Sequence, residues 1–136
     1  MKNNFLLFLF FTTCIGFSQI KATGYFNSEI GMSYEFSEKI QAELKIDDAV
    51  DKSFSSKLSV LYKIKNKETY NLNLGLGVNV FLFEELDQLE SFYIPFQLEI
   101  LPFKNYKNIG FVLETAYHIA ENENGLRNSV GIRYLF

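Results

Sequence analysis

The sequence predicts an all-β protein that folds as an antiparallel up-and-down β-barrel. Apolar and polar residues alternate through almost everything after Thr23, and a period of two is that of a strand with two different faces. Short polar links join the alternating stretches, and such links connect antiparallel neighbours because a parallel crossover needs a dozen or more residues. No segment shows the periodicity of a helix. We therefore expect a single meander of strands.

The length and composition indicate one domain and exclude several functions. The chain has 136 residues, a net charge of −3 and 17% aromatic residues. Its mildly acidic balance disfavours nucleic-acid binding, which needs basic patches. A single Cys excludes a disulfide framework and a multi-Cys zinc site. The pair Gly75-x-Gly77 lacks the rest of a dinucleotide fingerprint, and no metal-ligand cluster occurs. We therefore expect no cofactor and no metal site.

Residues 1–18 have the layout of a cleaved signal peptide. Lys2 supplies a positive start, 5–11 is an uninterrupted apolar run, and small residues stand at the ends of 16–18. The run is too short to span a bilayer as a helix, which needs about 20 apolar residues. We expect cleavage after Ser18, which leaves 19–136 as the barrel domain.

Cys14 permits a second interpretation, as the acceptor of a lipoprotein anchor. The residues before it, Phe11-Thr12-Thr13, lack the usual Leu and the small residue of such a site. Ordinary cleavage after Ser18 is therefore favoured.

Three stretches in the first half of the chain read as strands. They are 26–36, 40–46 and 54–64, separated by the polar links 37–38 and 47–53. In each, most of the alternate residues are apolar, as on a strand with one apolar face. Their apolar sides carry Phe26, Ile30, Met32, Tyr34 and Phe36, then Ile40, Ala42, Leu44 and Ile46, then Phe54, Leu58, Val60, Tyr62 and Ile64.

Four more stretches complete the readable pattern. They alternate in the same way and are separated by links at 66–68, 84–90, 104–108 and 121–125. Their apolar sides carry Tyr70, Leu72, Leu74, Leu76, Val78 and Val80, then Phe92, Ile94, Phe96, Leu98 and Ile100, then Ile109, Phe111, Leu113, Tyr117 and Ile119, then Val130, Ile132, Tyr134 and Phe136.

Seven strands are clearly readable, whereas single-chain bacterial barrels have an even number. Residues 19–24 supply a short eighth strand if the chain breaks near Gly24. Two alternatives are that the first strand is misread, or that the barrel closes by pairing its first and last strands in parallel. We expect eight strands.

Two features favour a transmembrane barrel over a soluble sandwich or calyx. The strands are about 10 to 14 residues long, whereas tilted membrane strands need about 9–11 and soluble strands usually have about 5–6. Aromatic residues of the apolar faces fall near strand ends with aliphatic residues between them, like the girdles of a membrane barrel. One level has Phe26, Phe54, Phe92 and Tyr117, and the other has Tyr34, Phe36, Tyr62, Tyr70, Tyr134 and Phe136.

The last residues carry a residue-specific motif. Ser129-x-Gly131-x-x-Tyr134-x-Phe136 resembles the C-terminal signal by which outer-membrane barrels are recognised for insertion. With the strand pattern over 23–136, the chain resembles small outer-membrane β-barrels of the OmpA/OmpX-like family. The resemblance implies the cell outer membrane of a Gram-negative bacterium, contact with outer-membrane lipid and lipopolysaccharide, and recognition by the barrel assembly machinery. It carries over no ligand-binding or catalytic residues.

The resemblance also places the C-terminus in the periplasm, so the links 47–53, 84–90 and 121–125 face outward. Of their charged residues, nine are acidic and only Lys52 is basic. Acidic loops beside lipopolysaccharide phosphates repel them unless divalent cations bridge the two. Weak Ca²⁺ or Mg²⁺ association at 84–90 is one hypothesis. Loops that are simply solvated are the favoured interpretation.

The polar faces carry charges of both signs, which a filled lumen must pair. A last hairpin folded about residue 123 places Glu114 near Arg133, and His118 near Arg127 and Ser129. We expect a lumen charge network of Glu114, His118, Arg127 and Arg133. The acids of these faces are Glu29, Glu35, Glu43, Glu99 and Glu114, and the bases are Lys45, Lys57, Lys63, Arg127 and Arg133.

A Ser129–His118–Glu114 hydrolase is the sharper alternative, because the residue types suit nucleophilic catalysis. All three face the lumen, away from lipid chains, so we expect no enzyme. The predicted function is a porin-like integral outer-membrane protein with a plugged polar lumen, acting structurally or through short acidic outer loops. A soluble periplasmic calyx for a lipid or small hydrophobe is the alternative. A lipid-modifying enzyme and a narrow pore are less favoured.

Overall fold

The computed structural model describes residues 20–47, 54–82, 89–121 and 123–136, which form a closed barrel of eight strands. Every strand pairs antiparallel with its neighbour in sequence, and β1 pairs antiparallel with β8 to close the barrel. Among the described residues, no helix is long and apolar enough to cross a membrane. The strands are β1 (Ile20–Tyr25), β2 (Glu29–Glu35), β3 (Ile40–Asp47), β4 (Phe54–Asn66), β5 (Tyr70–Leu82), β6 (Leu89–Ile100), β7 (Ile109–Ala120) and β8 (Asn124–Leu135).

The predicted eighth strand is confirmed as β1, and the chain reverses slightly later than Gly24. Phe26 and Asn27 form a turn, and Ser28 adopts a positive φ of 67°, a conformation that few non-glycine residues take. The stretch 26–36 is therefore not one strand, because its first residues form the β1–β2 turn. The antiparallel pairing of β1 with β8 excludes parallel closure.

The two faces of the sheet have opposite character. The apolar residues of the predicted strands point outward, where Ile30 and Leu76 are each 70% exposed. The polar residues point inward, and Glu43, Gln97 and Arg133 are 0% exposed. The polarity is thus the reverse of a water-soluble barrel, whose apolar face is buried.

The wall of the barrel is uneven in height. β1, β2 and β3 have 6, 7 and 8 residues, whereas β4 to β8 have 12 or 13. At a tilt of about 45°, six residues rise about 14 Å and 13 residues about 30 Å. β1 covers β8 only from Gly131 to Leu135. On the side that faces β1, residues 124–129 have no pairing partner among the described strands. We call residues 124–129 the β8 edge.

The two ends of the barrel carry different parts of the chain. The terminal end carries Ile20 and Phe136 together with the connections 36–39, 67–69 and 101–108. The loop end carries the β1–β2 turn, Asp47 and the β7–β8 connection. The segments 48–53 and 83–88, between strands that end there, lie outside the described residues.

Two glycines of β5 let other groups approach the backbone. A Cβ at Gly75 would lie 2.4 Å from the carbonyl oxygen of Val60, and one at Gly77 would lie 2.4 Å from the ring of Tyr93. Both distances are too short for a side chain. Gly75 and Gly77 are therefore explained by a crowded lumen, as their position on the polar face predicts.

Candidate functional site: the polar lumen

The candidate site is the lumen, and Arg133 on β8 lies at its centre. The Arg133 side chain is fully buried. Its Nη1 donates to Glu99 Oε2 at 3.1 Å, its Nε donates to Thr23 Oγ1 at 2.7 Å, and its Nη2 donates to Glu43. One guanidinium thus links β1, β3, β6 and β8. A buried charge is tolerated only when it is paired in this way.

Glu43 on β3 is held by several donors besides Arg133. Its carboxylate accepts from Gln97 Nε2 at 2.7 Å, from Ser33 Oγ at 2.9 Å and from the Tyr25 hydroxyl at 3.3 Å. The donors come from three strands, β6, β2 and β1, so Glu43 connects strands on different sides of the lumen. Satisfied networks of this kind hold their members in one arrangement.

A second layer of charges lies toward the terminal end. Lys21 Nζ lies 2.6 Å from Glu35 Oε1 and 3.3 Å from Glu99 Oε2. Lys63 Nζ donates to the same Glu35 oxygen at 2.6 Å. The alternating chain Lys63, Glu35, Lys21, Glu99 and Arg133 therefore runs across the lumen.

A third layer lies toward the loop end. Lys45 donates to Glu114 and also stands 4.5 Å from the centre of the Tyr25 ring, within the range of a cation–π contact. Lys57 pairs with Glu29. In the ion pairs of the described residues, five basic side chains (Lys21, Lys45, Lys57, Lys63 and Arg133) meet five glutamates (Glu29, Glu35, Glu43, Glu99 and Glu114).

The register of the last hairpin differs from a fold about residue 123. Ile119 pairs with Asn124, which puts Ser129 opposite Glu114 and Gly110 opposite Arg133. The expected neighbours Glu114 and Arg133 therefore do not pair. Glu114 instead meets Lys45 and Gln97, while Arg133 meets Glu43 and Glu99. The turn lies closer to Ala120 than the polar run 121–125 suggested.

His118 and Arg127 differ in their surroundings from the rest of the predicted network. His118 is buried and its ring stacks on Tyr93, with 5.2 Å between ring centres. Arg127 belongs to the β8 edge and is exposed. Its register partner is Ala116, not His118. By the alternation of β8, the Arg127 side chain falls on the lumen face. It is exposed to solvent because β1 is too short to cover this part of β8.

Lys21, Thr23, Tyr25, Ser33 and Gln97 were not named as network members from the sequence. Lys21, Thr23 and Tyr25 alternate along β1 and share its inward face. That pattern was detectable once β1 was recognised as a strand. Gln97 follows the apolar residue Phe96 and so falls on the polar face of β6, but its two carboxylate partners, Glu43 and Glu114, lie on other strands.

The structure does not assemble the Ser129–His118–Glu114 arrangement. Ser129 Oγ accepts from Asn27 Nδ2 at 3.3 Å, His118 stacks on Tyr93, and Glu114 is engaged by Lys45 and Gln97. Within the described ranges, no hydrogen bond joins any two of the three. Ser129 therefore has no hydrogen-bonded base from this trio to activate it as a nucleophile.

The residues of the predicted insertion signal take up distinct environments on β8. A Cβ at Gly131 would lie 2.8 Å from the carbonyl oxygen of Gly24, so this position admits only glycine where β8 meets β1. Tyr134 and Phe136 project outward and their rings pack edge to face at 5.0 Å. Ser129 lies at the β8 edge. Their role as a signal remains a prediction.

Aromatic side chains mark both ends of the outer face. Tyr62 and Phe136 are exposed at the terminal end, and Phe92 and Tyr117 at the loop end. Phe96 is an exception, because it faces outward in the middle of β6 opposite Thr115. The side chain of Phe54 lies outside the described residues.

The acidic links that we predicted to face outward fall mainly outside the described residues. That holds for residues 84–88 of the predicted cation loop at 84–90 and for 48–53, as it does for Cys14 and the predicted signal peptide 1–18. Of the loop-end acids, Glu121 and Glu123 are described and exposed. Among the described residues, no group of three or more His, Cys, Asp or Glu side chains could hold a metal ion.

Comparison with known proteins identifies the fold. The chain is similar to the N-terminal β-barrel domain of Pseudomonas aeruginosa OprF, with a TM-score of 0.54 and 13% identity over 88% of this chain and 96% of that chain. It is also similar to the Yersinia pestis outer membrane protein Ail, solved in a phospholipid bilayer nanodisc, with a TM-score of 0.51 and 15% identity over 88% of this chain and 98% of that chain.

No protein-family model and no curated protein matches the chain. At the level of fold, the expected likeness to small OmpA/OmpX-like barrels is confirmed. The chain is an eight-stranded, all-antiparallel up-and-down β-barrel with the fold of small outer-membrane barrel proteins.

Proposed function

We propose that the protein is an integral outer-membrane β-barrel whose lumen is plugged by its own ion pairs, and that it acts structurally or by interaction at its loop end. The observation that carries the proposal is the inverted polarity of the wall. Leu76 and Ile30 are exposed outside, while Arg133 and Glu43 are buried inside. In water this distribution exposes a continuous apolar surface, whereas in a bilayer it matches the solvent on both sides of the wall.

The same polarity disfavours the periplasmic calyx. A calyx for a lipid or hydrophobe presents apolar side chains to its ligand. The described lumen presents Lys21, Glu43, Lys45, Glu99 and Arg133 instead, all with polar partners of their own. An apolar ligand would have to separate these pairs, at a large cost in free energy.

The loop end supports an interaction role only through its charge. Asp47, Glu121 and Glu123 lie at this end, and Arg127, on the β8 edge, is an exposed basic residue near them. Lipopolysaccharide, with divalent cations between its phosphates and these carboxylates, is the partner that we propose for this end. From the C-terminal motif, we also propose that the barrel assembly machinery inserts the protein into the outer membrane.

The test is insertion into the membrane, read by heat-modifiable migration on an SDS gel. Protein from the washed outer-membrane fraction is expected to migrate differently before and after boiling, because a closed barrel resists SDS until heated. Unshifted migration, with the protein in the soluble periplasm, would overturn the proposal.

A pair of charge substitutions sharpens this test. Leu76→Arg puts a charge in the middle of the outer face and is expected to lower the yield of folded barrel in vesicles, since arginine at the bilayer midplane costs about 2–4 kcal/mol. Glu123→Arg adds the same side chain at the exposed loop end and is expected to leave the yield unchanged. Equal effects of the two variants would argue that the outer face does not meet lipid.

A further inference from the structure

An apolar groove lies on the outer wall at the terminal end, between β5 and β6. The groove has a volume of about 460 Å³ and is lined by Thr69, Tyr70, Leu98, Ile100, Leu101 and Pro102. Its size lies in the range of small-molecule sites, about 300–1,000 Å³. The backbone N–H of Leu101 donates to the Thr69 carbonyl oxygen at 2.7 Å, so the two connections that close the groove are joined.

A β-bulge turns a lysine from the lumen to the edge of this groove. Lys63 pairs with Asn73 in the ladder, but Lys65 pairs with Leu72, with a shift of register between them. In regular alternation Lys63 and Lys65 would share a face. The bulge instead leaves Lys63 bonded to Glu35 in the lumen and sets Lys65 Nζ 5.9 Å from the centre of the Tyr70 ring. Re-aiming a side chain is a known effect of bulges.

The surroundings of the groove are positively charged. Lys67 lies two residues before Thr69, Lys104 lies two residues after Pro102, and both are exposed. Lys107 is exposed in the same connection as Lys104, and Glu68 is the one acid in the two connections. An apolar groove rimmed by lysines is complementary to an amphiphile with an anionic head.

We propose that this groove binds an anionic glycerophospholipid of the periplasmic leaflet, with one acyl chain against Leu98 and Ile100 and the phosphate beside Lys65. The inference rests on the proposed function, because it requires the terminal end to lie at the periplasmic surface of the membrane. Phosphatidylglycerol has the required chemistry, because its glycerol backbone carries acyl chains and a phosphate diester with a single negative charge.

The absence of Trp from the sequence provides a clean test. Phe103→Trp places a single fluorophore beside Pro102, and Tyr134→Trp places one at the same end on β8. Each variant is folded into phosphatidylcholine vesicles that contain increasing fractions of brominated phosphatidylglycerol or brominated phosphatidylcholine. The quenching of tryptophan fluorescence then gives the relative affinity of the two lipids at each position.

We expect phosphatidylglycerol to be preferred about fivefold at the Phe103→Trp position, because each nearby lysine favours an anionic lipid. The Tyr134→Trp position, which pairs with Ile109 and does not line the groove, is expected to show a smaller preference. Adding Lys65→Gln to Phe103→Trp should reduce the preference at least by half, whereas Lys39→Gln, in the 36–39 turn, should leave it unchanged. Adding Leu98→Phe, which fills the groove and keeps every lysine, should weaken quenching by both lipids.

The possible failures are distinguishable. Equal affinities at the Phe103→Trp position, or equal effects of Lys65→Gln and Lys39→Gln, would overturn the lipid site while the barrel remains inserted. Undiminished quenching in Leu98→Phe would overturn the groove as the binding element. Failure of the unsubstituted chain to insert, seen as migration insensitive to heat, would overturn both this inference and the proposed function.

Discussion

At the residue scale, the lumen depends on a few side chains that satisfy many partners. Arg133 reaches Thr23, Glu43 and Glu99 from a single position on β8. By contrast, neither polar atom of the Gln41 amide has a hydrogen-bond partner among the described residues, although the side chain is buried. Burial alone therefore does not identify the residues on which the barrel depends. What matters is how many charges each would leave unpaired.

Arg133→Met is expected to destabilise the folded barrel by about 3–5 kcal/mol, the usual effect of removing one partner of a buried ion pair. Glu43 and Glu99 would lose their guanidinium partner. The measurement is reversible urea unfolding in vesicles, with the fraction folded read from gel migration.

Gln41→Met is the matched control for that variant. It replaces a buried side chain by one of similar size. We expect the free energy of unfolding to change by no more than about 1 kcal/mol, because no protein hydrogen bond is lost. If Arg133→Met were as stable as Gln41→Met, the ion pairs would not be what holds the lumen together.

At the scale of elements, β8 is the most informative strand. Its second half pairs on both sides, with β7 and with β1, whereas residues 124–129 pair with β7 alone among the described strands. Among the described residues, the bond from the Phe26 amide to the Val130 carbonyl oxygen is the last backbone hydrogen bond on the β1 side. The shortness of β1 thus exposes part of another strand.

Amide hydrogen exchange is expected to reveal this edge. The Val130 carbonyl and the Phe136 amide both point toward β1, so the amides of Leu126 and Asn128 share that direction in a regular strand. They should exchange much faster than that of Ile132, whose neighbourhood is paired with β1. Nuclear magnetic resonance of the barrel in micelles measures the rates. Equal protection at all three amides would mean that another segment covers the edge.

The end of β8 supports a prediction about assembly. Phe136 is 73% exposed and its ring contacts Tyr134, so Phe136→Ala removes little packing. We expect this variant to refold in vesicles with nearly unchanged stability, but to reach the outer membrane in cells at severalfold lower yield. Comparison of refolding yield with the amount in the outer-membrane fraction tests the motif as a signal. Phe103→Ala, an exposed aromatic outside the motif, is the control. Parallel losses in both assays would assign Phe136 a structural role instead.

At the scale of the whole molecule, the proposed plug of the lumen rests on the closed wall and on the ion pairs inside it. The ion pairs extend from Lys57–Glu29 toward the loop end to Lys63–Glu35 toward the terminal end. An eight-stranded barrel leaves an interior just wide enough for its own side chains. The molecule thus combines an apolar exterior with an interior crossed by ion pairs.

We expect no stable ion channel from the purified barrel in planar bilayers. Arg133→Ala, which removes the central guanidinium, is expected to give small conductance steps, because the lumen loses its largest fully buried side chain. Gln41→Ala, which removes a smaller lumen side chain, serves as the comparison. Steady conductance of the unsubstituted barrel would overturn the plugged lumen.

Much of the fold was predictable because strand geometry is local. The alternation of Gln41, Glu43 and Lys45 with apolar neighbours identified the inward face of β3 before any partner was known. β1 was harder to recognise, since six residues give few alternations. Its end depends on the positive φ of Ser28, which the residue type does not indicate.

The candidate site was predictable in its composition and not in its pairing. The period of two placed Glu43, Glu99 and Arg133 on the polar side, and electrostatics required that such charges be paired. Which charges meet was decided by the register and closure of the barrel. Arg133 lies 90 residues from Glu43 in sequence, and an error of a few residues in the last hairpin was enough to assign it the wrong partner.

The sequence by itself determined that the chain forms amphipathic antiparallel strands with charges on one face and apolar residues on the other, because alternation is a property of neighbouring residues. Only the tertiary structure decided the partners in the lumen, the open edge of β8 and the groove beside Lys65. Each of these depends on which strands become neighbours, and on the offset in register between each pair of neighbouring strands. That offset is set by closure of the whole sheet, so no single stretch of residues contains it.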